Sequence, residues 1–159
     1  MVVALIFVAF LVLKAPCELI AQSLGNCSLS LSVTVDEVNG QDCSLSGTLQ
    51  RNQSCNNLQD TLSITSKLPV DSCLEIIVDQ GTYDIEGTLV LTQNLLIYGR
   101  EGHNVIVHLI VESLDTFQYS LSFRNARKVQ LQNLEFVGTS GVIGFDKVDN
   151  VEVFSCSFR

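Results

Sequence analysis

Residues 121–142 read LSFRNARKVQLQNLEFVGTSGV and residues 143–159 read IGFDKVDNVEVFSCSFR, and the second stretch answers the first twenty-two residues later. Phe123, Val129, Leu131, Leu134 and Phe136 fall on Phe145, Val151, Val153, Cys156 and Phe158, with Ala126 on Val148. Inside the unit, Val129 and Leu131, like Leu134 and Phe136, sit two apart, which puts each pair on one face of a strand. The three-residue step from Leu131 to Leu134 breaks that alternation, so one repeat is two short strands and a bend. Asn133 stands at the bend, Ser155 one copy later and Gly99 one copy earlier. Glycine and asparagine tolerate a left-handed backbone, so a left-handed corner is expected at Asn133 and Gly99, with Ser155 the poorest fit.

Leu89, Leu95 and Ile97 form an earlier copy with the same internal gaps, thirty-four residues before Phe123, Val129 and Leu131, and the extra length reads as an inserted loop. Short strands that recur at a fixed period, each too small to bury its own apolar side, must stack and share a core. The expected fold is therefore all-β with one short capping helix: a right-handed parallel β-helix solenoid with an N-terminal cap and about three to four coils. Its core stack would be Leu89–Phe123–Phe145, Leu95–Val129–Val151, Ile97–Leu131–Val153, Leu134–Cys156 and Phe136–Phe158.

The run Gly81-Thr82-Tyr83-Asp84-Ile85, then Thr88-Leu89-Val90-Leu91 and Asn94-Leu95-Leu96-Ile97-Tyr98-Gly99, followed by the repeats above, resembles the N-terminal part of the pectin-lyase-like parallel β-helix proteins. The likeness is greatest to extracellular, repeat-rich members similar to bacterial polymorphic outer membrane proteins. It covers about residues 73–159 and implies a fold; the group spans lyases, hydrolases, esterases and adhesins, so it implies no one activity. The tryptophan-containing motif of the pectate lyases has no counterpart, since the chain has no tryptophan. The Asn-Thr-Asp, Asp-Asp and Gly-His-Gly motifs of the polygalacturonases are missing too, Gly102-His103-Asn104 being the nearest approach. No catalytic residue carries over.

Composition bounds the rest. The 159 residues make room for one domain, and a formal charge of -8 argues against nucleic acid or an anionic membrane as partner. The chain has no dinucleotide, phosphate-loop, zinc-protease or nucleophile-elbow signature, and no cofactor is expected.

Val2 to Leu13 is an apolar run ending at Lys14, too short for the about twenty residues that span a bilayer and suited to a secretory leader. The expected organisation is a signal peptide over 1–21, an N-terminal cap over 22–72 and coils over 73–159. Export would place the chain in an oxidising compartment, outside the cell or on its surface. Cys17 would leave with the leader and Cys156 occupies an inward apolar position, which leaves Cys27, Cys43, Cys55 and Cys73 as two disulfides with three possible connectivities. The pairing favoured is Cys55 with Cys73 and Cys27 with Cys43. Asn26-Cys27-Ser28 and Asn52-Gln53-Ser54 are glycosylation sequons, Asn52 lying in the more polar loop.

Leu29, Leu31, Val33 and Val35 alternate with polar residues, predicting a half-buried strand that turns at Asn39-Gly40. Leu58, Leu62, Ile64 and Leu68 predict a short helix capped by Asn56 or Asn57 and ended before Pro69. Leu74–Val78 reads as the first rung, and the run from Val105 to Val111, apolar on both faces, as a strand covered on its outer side.

Arg124 aligns with Asp146 and Arg127 with Asp149, so the four read as a charged ladder that fixes register. His103 and His108 point to opposite faces of one strand and cannot share a metal. Asp84 and Glu86 share a face, but two carboxylates are too few for calcium. Arg159 directly follows the last apolar position, so the chain is expected to be the N-terminal portion of a longer solenoid, or to be covered there by another chain. The leading functional expectation is a non-catalytic extracellular scaffold, adhesive or glycan-binding, with glycans or extracellular proteins as partners. The alternative is a fragment of a polysaccharide lyase or hydrolase whose catalytic coils lie elsewhere.

Overall fold

A computed structural model describes residues 27–44, 48–111, 119–138 and 143–159. The expected leader, Cys17 and Asn26 lie outside these residues. Six strands, β1 (Leu29–Val35), β2 (Gln53–Cys55), β3 (Ser72–Val78), β6 (Asn94–Gly99), β9 (Lys128–Gln132) and β12 (Asn150–Phe154), form one sheet in the order β12-β9-β6-β3-β1-β2. A second sheet runs β13-β10-β7-β4, from Ser157–Phe158, Glu135–Gly138, Val105–Ile110 and Gly81–Glu86. The third is β11-β8-β5, from Ile143–Asp146, Leu121–Arg124 and Leu89–Leu91. Every paired strand is parallel to its neighbour.

This corrects the expected single solenoid. The chain is mostly strand, as expected, but its strands are divided among three separate parallel sheets with one helix in a layered, α/β-like arrangement. The reason lies in the bends. Short corners such as Asn133-Leu134 end hydrogen bonding on one side before it resumes on the next, so each side is completed by strands from other repeats.

Alternation decides what is buried. In β9, Val129 and Leu131 are buried while Lys128, Gln130 and Gln132 are partly exposed. Val129 lies beside Leu95 and Val151, and Leu131 beside Ile97 and Val153. Phe123 and Phe145 are register partners whose rings stack at 5.3 Å, and Phe136 and Phe158 repeat the arrangement at 5.3 Å. One core cluster draws on all three sheets. Leu134 is buried in it and Cys156 packs against it from the corresponding corner. One position differs from expectation: Leu91, not Leu89, stands beside Phe123, and Leu89 pairs with Leu121. Leu89 and Leu91 share a face, so the apolar pattern was unable to choose between them.

The two-sided burial expected of β7 occurs elsewhere. Ile106 and His108 are half-exposed and Ile110 exposed, whereas on β3 and β6 Cys73 and Leu96 form an outer cluster joined by Cys27 and Tyr98. The disulfides are Cys27–Cys73 and Cys43–Cys55, with Cα separations of 5.7 and 5.4 Å, which corrects the favoured pairing. The cause is register: Ser30 pairs with Cys73, bringing Cys27 alongside, and a bridge from Gln41 to Cys55 does the same for Cys43.

The helix α1 (Leu58–Thr65) begins at Asn57, whose side chain accepts from the Asp60 N–H at 3.1 Å. It buries Leu58, Leu62 and Ile64, and the Gln59 side chain accepts from the Glu86 N–H at 2.7 Å, which ties α1 to β4. After β1, Asp36 accepts from the Val38 and Asn39 N–H groups, each at 3.0 Å, and from the Asn39 amide at 2.9 Å, so its carboxyl is held below its ordinary value, the Asn39 side chain contributing most. Gly40 makes no hairpin, because β1 has only parallel neighbours; a Cβ there would lie 2.2 Å from the Cys55 carbonyl oxygen.

Candidate functional site

A groove lined by polar groups forms where the first sheet hands over to the second. Between β9 and β10 that corner is Asn133-Leu134, and between β12 and β13 it is Ser155-Cys156, but between β6 and β7 it is the longer loop Arg100–Asn104. The long corner overhangs the short ones, leaving a cavity of about 300 Å³ lined by Glu101, His103, Asn104, Asn133, Glu135, Ser155 and Ser157, with Val105 and Leu134.

Asp79 fixes the overhang. Its carboxylate takes the Arg100 guanidinium at 3.3 Å on one oxygen and His103 Nδ1 at 2.6 Å on the other. The Arg100 N–H also donates to the Val78 carbonyl at 2.9 Å, and the His103 N–H to the Arg100 carbonyl at 3.1 Å. Beneath, the Tyr83 hydroxyl donates to the Asp79 carbonyl at 3.1 Å, and burial pushes that hydroxyl's pKa up.

The groove floor is the corner ladder. Asn133 and Ser155 both adopt left-handed backbone, at φ 54° and 51°, so the serine takes the conformation it was least expected to take. Gly99 does not. Its role is close approach, since a Cβ there would lie 2.2 Å from the Asn133 carbonyl oxygen. A second left-handed pair, Asn125 and Lys147 at φ 55° and 53°, lies between the third and first sheets and was missed, because lysine carries no such propensity.

The other predicted residues scatter. Arg124 and Asp146 are register partners, yet among the described residues no ion pair joins them; Arg124 Nε donates to Ser122 Oγ at 3.1 Å. Arg127 and Asp149 form none either; they bond through their main chains, the Arg127 N–H to the Asn94 side chain at 2.8 Å and the Asp149 N–H to the Ala126 carbonyl at 3.1 Å. This corrects the ladder: Arg124, the last residue of β8, turns to Ser122 of its own strand, and Arg127 and Asp149 lie in corners just outside the paired registers of β9 and β12. The repeats are instead linked by Lys128 with Glu152 at 3.1 Å and by Arg159 with Glu135. The hydrogen bond from the Lys128 ammonium is the largest influence on the Glu152 carboxyl and holds it below its ordinary value, against desolvation, with the Asn150 amide adding a lesser lowering effect.

His108 Nδ1 contacts Asp84 at 3.0 Å, and His103 lies in the loop before β7 rather than on it. Among the described residues no group of three or more His, Cys, Asp and Glu side chains is placed to hold a metal ion. Asn52 is exposed in a left-handed turn at φ 60°, its N–H donating to the Ser32 carbonyl at 2.8 Å. Asn94 was missed by sequence reasoning. It is buried, and its side-chain oxygen accepts from the Arg127 and Lys128 N–H groups at 2.8 and 3.1 Å; the only signal was an amide between apolar runs.

At the β11, β12 and β13 edges the core opens to solvent: Phe145, Val151, Val153 and Phe158 are 40, 39, 43 and 57% exposed, whereas their partners Phe123, Val129, Leu131 and Phe136 are buried. Comparison of the chain with protein-family models, with curated proteins and with solved structures returns no match. The three separate sheets overturn the resemblance to the pectin-lyase-like group. The two disulfides fit an extracellular or otherwise oxidising environment, and among the described residues no helix is long and apolar enough to cross a membrane.

Proposed function

We propose that the protein is a non-catalytic scaffold, secreted or held at the extracellular face of the cell, that works through contact with glycans or other extracellular proteins. One observation carries this reading: outward-facing positions change chemistry at every step from strand to strand. Leu96, Gln130 and Glu152 are successive register partners on the first sheet, and Ile106, Glu135 and Ser157 on the second. Chemistry on a saccharide needs two carboxyl groups free to act together, and of the two carboxylates that line the corner groove Glu135 is engaged by Arg159, whereas a contact surface needs only varied polar groups on a stiff frame. The disulfides support an extracellular setting, and the exposed Asn52 sequon supports glycosylation there.

The open apolar end belongs to the same reading. Three strand edges flank exposed Phe145, Val151, Val153 and Phe158, an apolar surface suited to contact with an extracellular partner protein. The test uses the intact protein on a glycan array and against extracellular proteins, alongside an assay for new reducing ends and unsaturated sugars. Binding without turnover is the expected result. Turnover of a polysaccharide by the purified protein would overturn the reading.

A further inference from the structure

The geometry points to the corner groove beneath the Arg100–Asn104 loop as a binding site for a short neutral oligosaccharide. The inference rests on the scaffold reading and adds a place and a ligand class to it. Among the described residues, the side chains of Glu101, Asn104, Ser155 and Ser157 make no hydrogen bond within the protein, although all line one cavity of about 300 Å³. The Asn133 amide nitrogen is engaged with the Gly99 carbonyl at 3.3 Å, which leaves its oxygen free to accept. His103 is held through Nδ1, which leaves Nε2 unpaired.

Donors and acceptors are thus interleaved, and this selects the ligand. Each sugar hydroxyl both donates and accepts, so a carboxylate, amides and hydroxyls in one groove suit it. A peptide partner would require an apolar anchor, and the apolar members here are only Val105 and the buried Leu134. Acidic saccharides are disfavoured by Glu101, Glu135 and a net charge of -8. Spacing agrees as well. Asn133 and Ser155 occupy equivalent corners of successive repeats, as Glu135 and Ser157 occupy paired strand positions, so the polar groups recur at about 4.8 Å along the stack. That step is close to the length of one pyranose unit.

The wall is preorganised, because Asp79 clamps Arg100 and His103 on either side of Glu101. A ligand would therefore meet a loop already ordered, at little entropic cost. Asp79 is a positioning residue here and lines no part of the groove.

The experiment titrates the full chain with maltotriose, cellotriose and mannotriose, and with a uronate trisaccharide, by calorimetry. Glu101→Ala, Ser157→Ala and Asp79→Asn are compared with wild type, and Glu86→Ala on the outer face of β4 serves as control; thermal melts check that each variant folds. The expected result is binding of at least one neutral trisaccharide and none of the uronate. Glu101→Ala and Ser157→Ala should each weaken binding about three- to tenfold, the loss of one hydrogen bond, and Asp79→Asn should weaken it with a larger entropic penalty. Neutral-sugar binding that ignores the groove variants overturns the site and leaves the scaffold reading standing. Binding only of the uronate, or of no sugar, overturns the ligand class; turnover of a bound sugar defeats the scaffold reading itself.

Discussion

Replacing Gly99 with alanine tests how closely successive repeats approach at the corners. An added Cβ would sit 2.2 Å from the Asn133 carbonyl oxygen and 3.2 Å from its carbonyl carbon. Carbon–oxygen contacts settle near 3.3 Å or beyond, so about 1 Å of separation must be recovered by moving backbone. Overpacking of this kind costs about 1–3 kcal/mol. The same movement breaks the bond from the Asn133 amide to the Gly99 carbonyl, worth about 0.5–1.5 kcal/mol. A total near 3 kcal/mol corresponds to a fall of roughly 6–12 °C in Tm for a chain of this size. Circular dichroism melts measure it, with Gly102 as the contrast. Gly102 has φ +79° and open space around its Cβ position, so its cost is conformational and Gly102→Asn should be mild. Gly99→Asn gains nothing, because its difficulty is space. A Gly99→Ala melt within about 1 °C of wild type would refute the close-approach argument.

Three further outcomes follow from the interactions between repeats. Asp146→Asn with Asp149→Asn should change stability by no more than about 0.5 kcal/mol in urea unfolding, since among the described residues neither aspartate is ion-paired and the amides add no like charge opposite Arg124; a larger loss restores the charged ladder. Glu152→Gln should flatten the acid side of the stability curve. The Glu152 carboxyl lies below its ordinary 4.5, so its contribution is present above that pH and is lost as pH falls through the lower folded value; an unchanged acid limb counts against the Lys128 pairing. Peptide mapping without reduction should recover Cys27 with Cys73 and Cys43 with Cys55. Replacing Cys43 and Cys55 together by alanine should cost about 3 kcal/mol for their twelve-residue separation, and Cys27 with Cys73 about 4 kcal/mol for forty-six.

What could be read in the sequence was whatever a strand's two-residue period encodes. Phe123 over Phe145 and Val129 over Val151 follow from matched apolar positions, because misplacing either would turn its face to water. The same period is silent on even shifts, which is why Leu89 was placed where Leu91 stands. It is silent, too, on how the sides of a repeat divide into sheets, since that depends on where corner backbones stop bonding. Connectivity of the cysteines was hidden because it is set by which strands pair, not by distance along the chain. In the groove, Asn133 was legible as a corner residue. Glu101, Asn104 and Ser157 were not, since a cavity arises from the difference in length between three successive corners, which no single corner reveals.

The left-handed corners show which feature the repeat preserves. Asn125 and Lys147 share one conformation twenty-two residues apart, as do Asn133 and Ser155, although three residue types occupy the four positions. Left-handed backbone costs a non-glycine residue roughly 1–2 kcal/mol, so lysine and serine would not adopt it from preference. The cost is offset by bonds formed across the stack: the Asn125 N–H donates to the Asp146 carbonyl and the Asn133 N–H to the Phe154 carbonyl, both at 3.0 Å. Main-chain bonding to the adjacent repeat therefore dictates the corner, and although the Asn133 amide adds a bond to the Gly99 carbonyl, lysine and serine hold the same path at Lys147 and Ser155. A frame whose corners and outer strand positions can change residue without changing path is able to diversify its surface while its core stays fixed. Such a division of labour fits a protein that acts by contact better than one that must hold a catalytic constellation in place.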